Sequence, residues 1–221
     1  WSSDVCSSDL GHFKAEISPY AVKAHVPNLR SGEVTIKEYV ADTDEGPRPD
    51  SALDKLAKLK PVFAARGSVT AGNSSQMSDG AAAVMLVSEK ILKQFNLKPL
   101  ARFAGFSVAG VPPEIMGIGP IEAIPRVLRQ AGVSQQDVDW IELNEAFAAQ
   151  SLAVMRHLDL DPAKVNPLGG AIALGHPLGA TGAIRTATVV HGLQRTKQRY
   201  GMVTMCIGTG MGAAGLFEAI F

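Results

Sequence analysis

The apolar positions of the chain fall into runs that alternate between the strand period and the helix period. Val138 to Leu143 reads as a short strand, and Tyr200 to Met205 and Ala213 to Ile220 as two more, separated by a turn at Gly208–Gly212. Glu145 to Leu158 sets Phe147, Leu152, Met155 and Leu158 toward one side of an amphipathic helix, with Asn144 at its cap. Thr181 to Leu193 predicts another helix, and Glu122 to Gln130 a third, after Pro120 and stopped by Gly132. Leu100 to Ala109 is strand-like, Ser88 to Phe95 a short helix with Ile91, Leu92 and Phe95 on one face, and Ala81 to Val87 a buried-strand candidate. Ser51 to Leu59 predicts a short helix capped by Ser51, with Leu53, Leu56 and Leu59 at helical spacing and Pro61 ending it. The rest of Gly11 to Arg66 is charged and proline-bearing, hence loop-rich, and Thr70 to Gly80 is a small polar loop. Strands alternating with helices imply an α/β fold with a mixed β-sheet covered by helices. The change of character near Asn96–Pro99 marks a domain boundary.

Composition narrows the function classes. The 221 residues are 46% hydrophobic and 19% charged, an ordinary globular balance with enough apolar material for one or two cores. Formal net charge is zero, so no basic field points to nucleic acid or to an anionic membrane. No apolar run approaches the about 20 residues that cross a bilayer, and a cytoplasmic location is expected. Two cysteines make no disulfide framework, and the five scattered histidines show no metal-ligand spacing. The segment Trp1-Ser2-Ser3-Asp4-Val5-Cys6-Ser7-Ser8-Asp9-Leu10 has no period and no signal-peptide character. It resembles the translation of a sequencing-adapter oligonucleotide, a non-native scar, which makes Cys6 irrelevant to the chemistry.

The candidate chemistry lies on glycine-rich loops, where backbone can approach a ligand closely. His176 stands between Gly175 and Pro177 in Gly169-Gly170-Ala171-Ile172-Ala173-Leu174-Gly175-His176-Pro177-Leu178-Gly179-Ala180-Thr181-Gly182. An imidazole held by stiff backbone can serve as general base; a hydrogen-bonding loop histidine is the plainer alternative. Cys206 precedes the turn of Cys206-Ile207-Gly208-Thr209-Gly210, which argues for an accessible sulfur at a strand end over a core thiol. Asn144, in Asn144-Glu145-Ala146-Phe147, can cap a helix, hold a water or donate to an oxyanion. Gly210-Met211-Gly212-Ala213-Ala214-Gly215 spells a dinucleotide fingerprint but lacks the helix, strand and acidic residue that must follow.

Together these three motifs resemble the thiolase family, and the resemblance covers residues 11–221. It implies a thiolase-like fold: residues 11–97 match the end of the N-terminal half and its loop domain, which covers coenzyme A, and residues 98–221 a complete C-terminal half. It implies an acyltransferase that cleaves 3-ketoacyl-CoA in fatty acid β-oxidation, with a biosynthetic acetoacetyl-CoA thiolase as runner-up and a non-catalytic acyl-CoA binding protein as the non-enzyme alternative. His176 would activate the nucleophilic thiol, Cys206 would exchange the α-proton, Asn144 would hold an oxyanion-hole water, Gly208 N–H would serve the second oxyanion, and Ser75 would touch the pantetheine arm. Coenzyme A would be a substrate and no cofactor would be tightly bound. The partners would be acyl-CoA, coenzyme A and further copies of the protein in a homodimer or homotetramer. The family's Cys-x-Ser-Gly nucleophile has no counterpart in residues 11–221, which predicts an inactive fragment with exposed apolar surface.

Overall fold

Small residues between branched ones let the C-terminal strands pack closely on both faces. The computed structural model describes residues 11–48 and 50–221; segment 1–10, and Cys6 with it, lies outside the described residues. In chain order the elements are β1 (Tyr20–Pro27), β2 (Val34–Ala41), α1 (Leu53–Leu56), α2 (Glu89–Phe95), β3 (Ala101–Gly110), α3 (Gly119–Ala131), β4 (Val138–Leu143), α4 (Ala148–Leu158), α5 (Ala171–Leu174), α6 (Thr181–Thr196), β5 (Tyr200–Ile207) and β6 (Met211–Ala219). The strands β3-β6-β5-β4 form one mixed sheet, with β4 parallel to β5 and the other pairs antiparallel.

Successive residues of a strand point to opposite faces, and here each face has its own core. Met202 of β5, Leu216 of β6 and Ile141 and Leu143 of β4 pack with Ile124 and Val127 of α3 and Val154 of α4. Trp140 and Val203, one residue out of phase, pack on the other side with Val189 and Leu193 of α6. Helices therefore cover both faces. The expected α/β architecture and mixed sheet are present.

Several local expectations are overturned. Residues 20–41 form an antiparallel hairpin rather than loop, in register from Tyr20↔Ala41 to Pro27↔Val34. Its turn is organised by Asn28, whose Oδ1 accepts from Arg30 N (3.0 Å), and by Gly32 at φ +75°. The helix expected over Ser51 to Leu59 is the single turn α1, and its cap residue is Ala52. Ala81 to Val87 forms no strand: among the described residues nothing pairs with its backbone, and Met85 and Leu86 are largely exposed. An apolar run becomes a strand only where a neighbour supplies hydrogen bonds. With Phe103 and Phe106 of β3 also half exposed, the expected apolar surface is present.

α3 begins at Gly119, three residues before the expected start, because its first turn lies directly on β6. A Cβ on Gly212 would stand 2.0 Å from the Gly119 carbonyl carbon, and a Cβ on Gly119 would stand 2.5 Å from Gly212 N. Both obstacles are backbone and cannot rotate away. Gly212→Ala should therefore cost about 3 kcal/mol as α3 is levered off the sheet. Urea denaturation of the chain measures this; a loss under about 1 kcal/mol would show that the helix shifts freely.

Candidate active site

The parallel pair β4–β5 brings two of the sequence candidates to one end of the sheet. Asn144 follows β4 directly and extends the ladder, its N–H donating to Thr204 O at 2.9 Å. Cys206 lies two residues beyond Thr204, near the end of β5, opposite Gly212 of β6. α4 starts only at Ala148, with Phe147 in the cap position, so Asn144 is not a helix cap. Residues 144–147 stay out of the helix because the loop is clamped from two sides. Ser75 N donates to Ala146 O (3.0 Å), and the buried carboxylate of Glu145 accepts from Asn166 Nδ2 (3.1 Å) and Ile172 N (3.2 Å). Gly170 makes this possible: a Cβ there would fall 2.0 Å from the Glu145 carboxylate.

Freed from capping, the Asn144 side chain meets the histidine. Asn144 Nδ2 lies 3.3 Å from His176 Nε2, and His176 Nδ1 lies 2.7 Å from Thr181 Oγ1. The ring is aimed by its backbone. Gly175 adopts φ +91°, where a side chain is strained and where a Cβ would meet Ser78 Oγ at 2.3 Å. His176 N then donates to Gln76 O at 3.0 Å. The Gln76 side chain secures the same loop, donating from Nε2 to Gly46 O (2.9 Å) and Ala173 O (3.2 Å).

Electrostatics divide the two titratable candidates. Burial, and then the positive charge of Arg185, hold His176 below the ordinary histidine range, so its imidazole is neutral near pH 7. Burial pushes the Cys206 thiol up, against a smaller opposing backbone hydrogen bond, so it rests protonated. Arg185 itself is buried and donates to Glu142 Oε2 at 2.9 Å, while Trp140 Nε1 donates to Glu142 Oε1 at 2.7 Å. Burial raises the Glu142 carboxyl, and these two donors pull it back toward the ionised form. Glu145 is likewise raised by burial, opposed by its bonds from Ile172 and Asn166.

Asn144 Oδ1 is buried and has no hydrogen-bond partner among the described residues. Gly208 is exposed at the β5–β6 turn, with open space where a Cβ would stand. Ser75 is half-buried between Ser74 and Gln76, which line a cavity of about 590 Å³ together with Arg48, Lys55, Leu59 and Ala173. Asn144 and His176 are thus in contact, Cys206 lies in β5 at the same end of the sheet as Asn144, and Ser75 docks on the loop that follows Asn144. The sequence reading missed Glu142, Glu145, Thr181, Arg185 and Gln76. Glu145 and Thr181 stood inside the quoted motifs, whereas the other three carry no spacing signal. Among the described residues no group of three or more His, Cys, Asp or Glu is placed to hold a metal ion. No described helix is long and apolar enough to cross a membrane.

A family model described as the C-terminal domain of thiolase matches residues 97–219. The chain belongs to the thiolase family. The model for the thiolase N-terminal domain matches residues 5–90. The 3-ketoacyl-CoA thiolase of Bacillus subtilis is 53% identical over 209 residues, covering 94% of this chain and 53% of that protein. The peroxisomal 3-ketoacyl-CoA thiolase of Homo sapiens is 50% identical over 209 residues, 94% of this chain and 48% of that protein. Among solved structures, the Bacillus anthracis acetyl-CoA acetyltransferase superposes with a TM-score of 0.86 at 46% identity, over 96% of this chain and 51% of that one. Human mitochondrial 3-ketoacyl-CoA thiolase in complex with CoA superposes with a TM-score of 0.82 at 44% identity, over 97% of this chain and 51% of that one. The chain therefore has the thiolase fold and spans about half the length of the thiolases it matches.

Proposed function

We propose that this chain is the part of a 3-ketoacyl-CoA thiolase that carries the catalytic histidine and the proton-exchanging cysteine. The reaction is thiolytic cleavage of a 3-ketoacyl-CoA to acetyl-CoA and a shortened acyl-CoA, as in fatty acid β-oxidation. The observation that carries this reading is the Asn144–His176 contact, in which a neutral imidazole stands beside a buried, unpartnered amide oxygen.

The chemistry follows from those groups. His176 Nε2 takes the proton of a nucleophilic cysteine thiol supplied from outside residues 11–221, and the thiolate attacks the 3-keto carbon. The C2–C3 bond breaks, the acyl group stays on the nucleophile, and the acetyl-CoA enolate takes a proton from Cys206 Sγ. The Cys206 thiolate then takes the proton of the coenzyme A thiol, the coenzyme A sulfur attacks the acyl-enzyme, and the acyl–cysteine bond breaks to release the shortened acyl-CoA while His176 returns its proton to the departing cysteine sulfur. A raised thiol suits Cys206 as the acid that meets the enolate. Asn144 Oδ1 suits an acceptor for a water, because a buried polar atom without a protein partner is ordinarily satisfied by one. That water and His176 would stabilise the enolate oxygen, and the Gly208 N–H the other oxyanion. The cavity beside Ser75, lined by Glu45 and Asp50 as well as Arg48 and Lys55, is where coenzyme A would lie as substrate, on the strength of its position against Ser74 and Gln76. The whole protein would assemble as a homodimer or homotetramer.

The opposite direction, condensation of two acetyl-CoA units, uses the same groups and is the activity named for the Bacillus anthracis neighbour. There Cys206 takes the α-proton that it gives in cleavage, so the raised thiol serves both directions alike.

The deciding experiment joins residues 11–221 to the N-terminal half of the Bacillus subtilis thiolase and follows thiolysis of acetoacetyl-CoA. Turnover supports the proposal; a folded chimera that binds coenzyme A without turnover supports the acyl-CoA binding reading. The 221-residue chain alone should show no thiolysis, and activity abolished by Cys206→Ala would contradict that. In the chimera, Asn144→Ala should lower kcat about 10²–10³-fold with little change in KM, as loss of an oxyanion-hole group does. An unchanged kcat would leave Asn144 a purely structural residue.

A further inference from the structure

Each ring nitrogen of His176 has one polar neighbour, and the two neighbours agree about where the proton sits. Nε2 faces Asn144 Nδ2 at 3.3 Å. An amide nitrogen only donates, so Nε2 is the lone-pair nitrogen. Nδ1 faces Thr181 Oγ1 at 2.7 Å. That hydroxyl lies 2.8 Å from Pro177 O and donates to it, one helical turn back, which leaves an oxygen lone pair for an Nδ1–H.

Thr181 is built into the backbone. It is the first residue of α6, 2% exposed, and its own N–H also bonds Pro177 O at 2.8 Å. The hydroxyl therefore belongs to the same turn that begins at the residue after His176. Asn144 arrives from a different strand and can offer either end of its amide to a ring nitrogen. Thr181, with its proton committed to Pro177, can only accept.

We infer that Thr181 is the positioning residue that holds His176 in the Nδ1–H form and so keeps Nε2 as its basic atom. The catalytic meaning of this rests on His176 being the general base proposed above, whereas the tautomer is a property of the chain whatever its activity. Thr181 touches no reacting atom and acts only through the ring.

Long-range ¹⁵N–¹H correlation spectra of the labelled chain near neutral pH read the tautomer directly, with His176→Gln assigning the signals. The wild-type chain should show a protonated Nδ1 and an unprotonated Nε2. Thr181→Ser should keep that pattern, and Thr181→Val, which matches the shape without the hydroxyl, should make Nε2–H the major form. A wild-type ring protonated at Nε2, or a folded Thr181→Val with the pattern unchanged, would overturn the inference. Should Thr181→Val fail to fold, Asn144→Ala decides: the Nδ1–H pattern should persist, and its loss would hand the role to Asn144. A chimera without thiolase activity but with an intact Nδ1–H pattern would sink the functional proposal and leave this inference standing.

Discussion

His176→Ala in the chimera should lower kcat/KM for acetoacetyl-CoA thiolysis by about 10⁴-fold, the upper end for loss of one acid–base group. The upper end is expected because, in the proposed mechanism, the same ring would both activate the attacking thiol and, beside Asn144, stabilise the enolate oxygen. Circular dichroism and coenzyme A binding should be unchanged, since the ring is only half buried. A fall of less than tenfold would remove His176 from the chemistry. The pH profile gives an independent check. Only the neutral ring is a base, and burial with Arg185 holds its pKa below the ordinary value of about 6.5. Activity governed by His176 should thus fall to half its plateau only at a pH below 6.5. A limb that turns above pH 7 would mean that another group is titrating.

Arg185→Met should cost about 3–5 kcal/mol, because it strands the fully buried Glu142 carboxylate without its cation. Trp140 still donates one hydrogen bond, but one neutral donor does not replace a guanidinium that also holds Gly169 O at 3.2 Å. Adding Glu142→Gln should recover part of the loss, since the stranded charge and not the missing contact dominates. Chemical denaturation of the single and double variants measures both, and equal stabilities for the two would contradict the charge argument. The single variant should also raise the His176 pKa, because Arg185 is one of the two causes that lower it.

The sequence pattern exposed the sheet and its large helices for a physical reason. β4 and β5 are two-faced strands whose branched residues alternate between two cores, and α6 presents Val189 and Leu193 to one of them. The pattern failed where backbone partners decide. Ala81 to Val87 has strand composition but no neighbour to bond among the described residues, and the β1–β2 hairpin is exposed, so no buried stripe announces it. Asn144, His176 and Cys206 were legible from motifs, and the first two do meet. The cap assigned to Asn144 was wrong because Ser75 and Glu145 hold residues 144–146 out of the helix, and the cap falls on Phe147. Gln76 and Arg185 act on neighbours far along the chain, which no local spacing encodes, whereas Thr181 stands five residues after His176 inside the quoted motif.

The parallel pairing of β4 with β5 also sets when this site comes into being. Val138 finds Tyr200 across about sixty intervening residues that include α4, α5 and α6, so loop closure must be completed before Asn144 and Cys206 share an edge. On the ribosome, Asn144 and the His176 loop emerge well before their sheet partner exists. The edge that Asn144 and Cys206 share is accordingly a late product of folding, and a chain that stops short of residue 200 carries Asn144 and His176 without it.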